Sequence, residues 1–281
     1  PSEGSWDIVI QPKSGWFDLH LRELWRYRDL IVLLVRRDFV TRFKQTILGP
    51  AWYIIQPLLS TVVFTIVFGN IAKISTDELP KMLFYLSGNV VWLYFAQCLR
   101  DTANTFTANR ILFGKVYFPR LAVPISQIIS KVFQFGVQFV FFLAFTAYFA
   151  VKGAEINPNA ALLLLPVLLF LMAGLAFGGG MILSSMTSKY RDIQHLVGFG
   201  IRLLMYGTVV IYPLSTIPDK YRWLILANPV TPIIETFRYG FLGRGTFSWL
   251  HLGYSAGSMV VLLFVGVLLF SRIERTFMDT V

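Results

Sequence analysis

The chain has 281 residues, of which 56% are hydrophobic and only 14% charged, and its net charge is +10. A soluble domain holds about a quarter charged residues, so this composition excludes an ordinary soluble protein and predicts a polytopic membrane protein. The charge does not indicate nucleic-acid binding, because the cations lie in short segments beside apolar runs and not on one basic surface. The single cysteine, Cys98, excludes an intrachain disulfide and a cysteine metal cluster.

The N-terminal segment, residues 1–49, precedes the first long apolar run. Within it, residues 17–27 place apolar side chains at helical spacing among several arginines. These apolar side chains are Phe17, Leu21, Leu24 and Trp25. The stretch is too charged to cross a membrane, so we predict an amphipathic helix in the membrane interface. A helix on a soluble surface is the alternative.

A cationic stretch then meets the first apolar run. Residues 36–44 carry three arginines and one lysine against one aspartate, and residues 51–72 carry no charge. Such a junction is typical of a chain that leaves an anionic cytoplasmic leaflet and enters the bilayer. Gly49-Pro50 suits the start of a span, because the N–H that proline lacks would have no partner in the first helical turn.

The apolar runs predict an all-α fold with six membrane-spanning helices. Their predicted ranges are 50–72, 82–104, 123–150, 161–184, 196–213 and 252–270. Pro57 permits a kink in the first span. Gly174 and Gly178 in the fourth span, and Gly253 and Gly257 in the sixth, are small residues four apart that allow close helix packing.

The distribution of Lys and Arg predicts the orientation of these spans. Of the 25 cations, 15 lie in one alternating set of connecting segments and 7 in the other. The richer set is 1–49, 105–122, 185–195 and 271–281, and the poorer set is 73–81, 151–160 and 214–251. The richer set is therefore predicted to be cytoplasmic, with both termini inside.

Polar side chains share one helix face in each of the first three spans. These side chains are Tyr53, Gln56 and Ser60; then Asn89, Gln97, Arg100 and Asn104; then Gln127, Lys131, Gln134 and Gln138. Lipid tolerates such faces poorly, so they must meet protein or water. Hydrogen bonds between helices are one interpretation and a hydrated conduit is the other. The candidate conduit residues are Tyr53, Gln56, Ser60, Trp92, Phe95, Gln134 and Gln138.

Two connecting segments contain apolar blocks that are too short to span the membrane. Residues 105–124 are amphipathic and end at two prolines, which predicts a short cytoplasmic helix along the membrane. The long outer segment, 214–251, has apolar blocks at 223–227 and 233–241, which predict re-entrant or surface helices. Within the second block, Glu235 and Arg238 are three apart and can pair on one helix face.

Motifs for enzymatic chemistry are absent from the sequence. It contains no phosphate-binding Gly-x4-Gly-Lys-Ser/Thr loop, no His-Glu-x-x-His and no nucleophile elbow. The three histidines, His20, His195 and His251, are far apart in sequence. The chain is therefore predicted not to be an enzyme and to hold no cofactor or metal of its own.

Three stretches resemble a known family. They are the motif Arg37-Asp38, Arg42-Phe43-Lys44-Gln45-Thr46, Leu48-Gly49, Trp52 and Pro57; the loop Lys115-Val-Tyr-Phe-Pro-Arg120 with Pro124; and Ser185 to His195, which includes Lys-Tyr-Arg-Asp. The first resembles the first-span motif of ABC-2-type exporter permeases, in the branch that exports O-antigen, capsule or teichoic acid. The other two are similar to the loops before spans three and five of that family.

The resemblance implies a function and a set of partners. Residues 50–281 would be the ABC-2 transmembrane domain of a multi-pass protein in the bacterial inner membrane, surrounded by membrane lipids. Two copies would form the conduit, and two separate ATPase subunits, which bind ATP and Mg, would drive it. The implied cargo is a lipid-linked polysaccharide, first of all O-antigen, with teichoic acid or capsule as alternatives.

The resemblance also assigns roles to two connecting segments. The loop before span three would be the coupling helix that sits in a cleft of the ATPase. Its candidate contacts are Arg110, Ile111, Leu112, Phe113, Lys115, Tyr117 and Phe118. The outer helices would form a gate, with Trp223, Glu235 and Arg238 as candidate residues.

Two hypotheses from other classes remain open. An integral membrane acyl- or glycosyltransferase of the envelope would need a clustered acid, base or metal site at one membrane face. The sequence offers only Asp101 beside Arg100, and Glu235 near Arg238. A passive channel would not need the amphipathic loop at 105–124. Co-purification of an ATPase subunit distinguishes the exporter from both.

Overall fold

The structure is a computed structural model that describes residues 21–44, 46–115, 118–190 and 192–277. Within these ranges the secondary structure is entirely helical. The α-helices are α1 (Leu21–Arg26), α2 (Arg28–Phe43), α3 (Trp52–Phe64), α4 (Lys81–Ala103), α5 (Thr105–Ala108), α6 (Arg110–Lys115), α7 (Ala122–Val151), α8 (Leu165–Thr187), α9 (Asp192–Tyr206), α10 (Asp219–Leu226), α11 (Thr231–Leu242) and α12 (Trp249–Phe277). A π-helix, Thr65–Ile71, extends α3, and short 3-10 helices precede α3 and α8.

Five helical stretches of the described chain are long and apolar enough to cross a membrane. They are Gly49–Ile71, Lys81–Ala103, Ala122–Val151, Ala160–Thr187 and Trp249–Ile273. Each lies within about three residues of a predicted span, as expected for hydropathy-based ends. Five of the six predicted spans are therefore confirmed as helices of spanning length.

The predicted fifth span, 196–213, is the one that differs. Its helix, α9, has 15 residues and ends at Tyr206, after which the chain continues in turns to residue 213. At 1.5 Å per residue this helix is ~22 Å long, shorter than the ~30 Å apolar core of a bilayer, which takes about 20 helical residues to cross. Residues 207–213 are mostly apolar, and hydropathy does not distinguish an apolar turn from an apolar helix. The count of six spans stays a prediction.

The N-terminal segment contains a helix that the sequence pattern did not predict. Helix α2 covers 16 residues and packs along α7, where the ring centroids of Phe39 and Phe133 lie 5.4 Å apart. The predicted amphipathic helix corresponds in part to α1, and its first four residues lie outside the described residues. Its location in the membrane interface stays a prediction.

The two sets of connecting segments lie at opposite ends of the bundle. At one end, Arg244 Nη2 lies 2.7 Å from Glu78 Oε2 and 3.7 Å from Glu155 Oε2, which joins three segments predicted to be outside. At the other end, α2, α5, α6 and α7 share an apolar cluster with the last turns of α12. This arrangement agrees with the alternation of segments in the charge count. Which end faces the cytoplasm stays a prediction.

Close packing between α8 and α12 depends on small residues. A Cβ atom on Gly178 would lie 2.6 Å from the backbone of Leu262 and Leu263, so only glycine fits there. This confirms the predicted close approach for the fourth span. In the sixth span a Cβ on Gly253 or Gly257 would meet no atom within 4 Å, so their close packing stays a prediction, and Gly266 is the glycine of α12 that faces α8.

We therefore expect Gly178→Leu to lower the free energy of unfolding by about 1–3 kcal/mol, because the added side chain overpacks the α8–α12 contact. Gly253→Leu is the matched control, since its site on α12 is open within the chain. Thermal unfolding of both variants in detergent measures the difference. Equal stability of the two variants would show that α8 and α12 do not pack as described.

Candidate functional site

Helix α4 is the centre of the bundle. Of the 18 most apolar consecutive residues of this helix, 89% are buried within the chain, against 17–28% in the other four spanning helices. Trp92 and Phe95, which were candidates for the conduit, both lie in the core around α4. Because protein surrounds most of α4, its buried polar side chains must find their partners on neighbouring helices.

Asn89 supplies such a partner to α3. Its Nδ2 donates to the backbone oxygen of Pro57 at 3.2 Å and to Ser60 Oγ, and Thr61 Oγ1 lies at 3.4 Å. Ser60 is half-buried and also donates to the carbonyl of Gln56. This part of the predicted polar face is therefore a hydrogen-bonded contact between α3 and α4.

Gln138 joins α7 to α3 in a more specific way. Proline has no N–H, so Pro57 leaves the carbonyl four residues earlier, on Tyr53, without its helical donor. Gln138 Nε2 donates to this oxygen from α7 at 3.1 Å. Gln138 and Gln134 are both buried, as is Tyr53, whereas Gln56 is exposed. The hydrogen bond of Gln138 supports the interpretation that these polar faces join helices. Among the candidate conduit residues, Gln56 has the most exposed side chain.

A cavity of about 790 Å³ lies between α2, α4 and α7 at the predicted cytoplasmic end. Three cations line it: Arg36, Arg37 and Lys131. Lys131 Nζ lies 2.5 Å from Asp101 Oδ2, and Arg37 pairs with its neighbour Asp38. The Asp101 partner is therefore Lys131 and not Arg100, which is exposed. Asp38 and Asp101 also line the cavity, so its charged side chains sum to +1, and Arg36 beside the apolar walls is the cation available to an anionic amphiphile.

The buried amide of Gln127 is a second feature of this cavity. Gln127 lines the cavity, and its Oε1 is buried without a hydrogen-bond partner among the described residues. An unpaired buried oxygen costs about 1–3 kcal/mol, so a donor in the cavity would be stabilising. The apolar wall includes Val32, Val35 and Phe133.

The candidate coupling residues divide into buried and exposed side chains. Phe113 and Phe118 are buried in the apolar cluster with Phe106 and Phe270, so this conformation does not offer them to a partner. Ile111 is 75% exposed and Arg110 is exposed beside it. Leu112 is partly buried against the cluster, and Tyr117 and the side chain of Lys115 lie outside the described residues. Amphipathicity alone did not show that the aromatic face packs against the chain itself.

The outer candidates are arranged around Arg238. This side chain is fully buried; its Nη1 donates to the carbonyl of Val209, its Nη2 to that of Val210 at 3.1 Å, and its Nε to Ser87 Oγ at 3.2 Å. Nη1 also lies 3.7 Å from Glu235 Oε1, which confirms the predicted pairing. Trp223 lies apart on α10 and is 67% exposed.

The carboxylate of Glu235 is held from a second direction. Thr246 donates to Glu235 Oε2 from its backbone nitrogen at 3.0 Å and from its hydroxyl at 3.2 Å. Burial raises the pKa of the Glu235 carboxyl, and the charge of Arg238 opposes this rise. The pair is saturated with protein partners, which is typical of a structural ion pair and not of a catalytic site.

The fold and these contacts define a class of protein: a multi-pass membrane protein whose polar side chains join its helices. Among the described residues no group of histidine, cysteine and acidic side chains could hold a metal ion. Residues 29–242 match the family described as ABC-2 type transporter. The chain belongs to the ABC-2 type transporter family.

Similar proteins cover almost the whole chain. It is 26% identical over 254 residues to an O-antigen export system permease protein of Klebsiella pneumoniae, which covers 89% of this chain and 94% of that protein. It is 27% identical over 265 residues to a permease of the same description from Myxococcus xanthus, covering 93% and 98%. A polysialic acid transport protein of Escherichia coli is 25% identical over 250 residues, covering 88% and 94%.

For the outer site we expect Arg238→Met to lower the free energy of unfolding by about 3–5 kcal/mol, because Glu235 and two carbonyls lose a buried charged donor. Glu235→Gln should cost less, since Arg238 keeps its carbonyl partners and the new amide oxygen still accepts from Thr246. Arg222→Met on α10 is the control, because that side chain is partly exposed. Urea or SDS unfolding in detergent gives the three values, and a small loss for Arg238→Met would contradict the structural role.

Proposed function

We propose that this chain is the membrane permease of an ABC exporter that moves a lipid-linked polysaccharide across the bacterial inner membrane, with O-antigen as the first candidate cargo. The observation that carries the proposal is the nearly full-length similarity to two permeases named for O-antigen export. The family match over residues 29–242 supports it. Capsule export is the second candidate, favoured by the similarity to the polysialic acid transport protein.

The cavity between α2, α4 and α7 has the chemistry that a lipid-linked substrate needs at entry. Arg37 and Lys131 are paired with Asp38 and Asp101, which also line the cavity, so Arg36 is the lining cation available to a phosphate group, whose oxygens a guanidinium binds in pairs. The apolar wall around Phe133 can accept the adjoining hydrocarbon. We therefore assign the loading of the anionic head group to this cavity.

The conduit itself is proposed to form between two copies of the chain. Around α4 a single copy is packed with apolar side chains, among them Trp92 and Phe95, and this leaves no room for a polymer. The exposed Gln56 on α3 lies on a surface that a second copy could complete. Both termini would be cytoplasmic, and α10 and α11 would form the outer gate, with Trp223 on its surface.

The energy for export is assigned to a separate ATPase, bound as two subunits with ATP and Mg. The sequence contains no phosphate-binding loop that could perform this step. The transferase alternative has no support in the described sites, because Asp101 and Glu235 are both engaged in ion pairs.

Reconstitution tests the proposed function directly. The chain and the ATPase encoded with it would be placed in proteoliposomes with a lipid-linked glycan, and we expect ATP-dependent movement of the glycan. An ATPase whose phosphate-loop lysine is replaced by alanine is the control. Movement without ATP would indicate a channel, and a covalently altered glycan would indicate a transferase; either result contradicts the proposal.

The exposed part of the coupling segment gives a separate prediction. We expect Ile111→Asp to reduce co-purification of the ATPase by about tenfold, because a charge would enter an apolar contact worth at least ~1.4 kcal/mol. Arg110→Ala should weaken the complex mainly at low salt, since rim charges act over long range. The control is Leu224→Asp on α10, equally apolar and 55% exposed at the opposite end. If Ile111→Asp binds the ATPase as well as the control does, residues 185–195 become the coupling candidate.

A further inference from the structure

Arg202 is an exposed cation in the second half of α9. The apolar side chains of α9 that face the core are Ile193, Val197, Ile201, Leu204 and Met205. Arg202 lies on the opposite face and is exposed. Its guanidinium has no hydrogen-bond or ion-pair partner in the part of the chain that the structure describes.

The position of Arg202 along α9 places it near the middle of the bilayer. It follows Asp192, the first residue of α9, by ten positions, which is ~15 Å along the helix axis. A second estimate starts from the opposite end of the bundle, where Ser87 lies ~9 Å inside the start of α4. Arg238 donates hydrogen bonds to both Ser87 and the carbonyl of Val210, so these two residues lie at a similar depth. Val210 follows Arg202 by eight residues. On the predicted topology α9 enters the bilayer near Asp192, and in an apolar core ~30 Å thick this puts Arg202 at mid-depth.

An arginine at mid-depth does not face lipid without a large cost. Insertion measurements give about 2.5–3.5 kcal/mol for such a residue, and calculations give more. Because this chain provides no partner among its described residues, the guanidinium requires water, a bound ligand or a second copy of the chain. Phe199 and Tyr206 lie three positions before and four after Arg202 on the same exposed face.

We infer that Arg202 lines the conduit and binds an anionic group of the cargo, a phosphate or a carboxylate, during passage. The inference rests on the proposed function. A guanidinium binds either oxyanion through two parallel hydrogen bonds, and a site shared by two copies would offer two guanidinium groups. The rings of Phe199 and Tyr206 can contact sugar rings on either side of the charged group.

The accessibility of position 202 to water is the first test. In a Cys98→Ser background, Arg202→Cys should react with charged, membrane-impermeant methanethiosulfonate reagents. Val260→Cys is the matched control, because Val260 is exposed on α12 at a similar depth, 11 residues after Trp249, and has an apolar environment. If the two positions react equally slowly, Arg202 does not line a water-filled path.

Chemical modification of the Arg202→Cys variant also tests the role of charge. An aminoethyl reagent restores a cation at this position, whereas a sulfonatoethyl reagent places an anion there. We expect the first to recover export and the second to abolish it. Equal export after both modifications would overturn the assignment of Arg202 as an anion-binding residue.

Substitution distinguishes the two sources of the anion. Arg202→Gln should lower the export of an acidic glycan at least tenfold, and Arg202→Lys should retain part of it. If a neutral glycan on the same lipid carrier is affected equally, the anion is the carrier phosphate; if it is spared, the anion is the carboxylate of the polymer. Arg222→Gln on α10 is the control for a lost surface cation.

Two outcomes would overturn the inference. Arg202→Gln could export both glycans as well as the wild type does, or it could dissociate the pair of chains, which would make Arg202 an interface residue. Failure of the proposed function is distinguishable, because the wild-type chain would then export neither glycan. The labelling of position 202 would still show whether that face meets water.

Discussion

The buried guanidinium of Arg238 allows α9 to end inside the bundle. After Tyr206 the chain runs in turns through Val209 and Val210, whose side chains are fully buried. Turn carbonyls in an apolar environment cost several kcal/mol each when they lack a donor. Arg238 donates to both carbonyls, so the irregular backbone is tolerated and the chain can continue into the outer helices. Gly88 makes room for this arrangement, because a Cβ there would lie 2.6 Å from Arg238 Nη2.

The same constraint explains the contact between α3 and α7. Pro57 leaves the carbonyl of Tyr53 without a helical donor, and Gln138 supplies one from a neighbouring helix. At both places a break in regular backbone hydrogen bonding is compensated by one polar side chain from another helix. Several polar side chains inside these spans therefore donate hydrogen bonds to backbone carbonyls. Exposed residues such as Gln56 and Arg202 are the ones that need a partner from outside the chain.

The sequence predicted what depends on local patterns. Hydropathy located five spans, and the spacing of Glu235 and Arg238 predicted their pairing, because both residues lie on one helix. The pairing of Lys131 with Asp101 joins different helices, and its prediction would require the helix arrangement. The burial of Phe113 was missed for a related reason: an amphipathic pattern shows that a face is covered, but not whether the chain itself or another protein covers it.

The distribution of packing separates a fixed part of the chain from surfaces that remain available. Helix α4 is enclosed by α7, α8 and α11, and glycine contacts join α8 to α12. Helices α3 and α9 instead pack against α4 with one side and leave the other exposed. In a membrane these exposed sides differ in what they tolerate: the apolar parts can meet lipid, whereas a cation at mid-depth requires water or an anion. Polarity at the surface of α9 is therefore stronger evidence for a transport path than polarity inside the bundle.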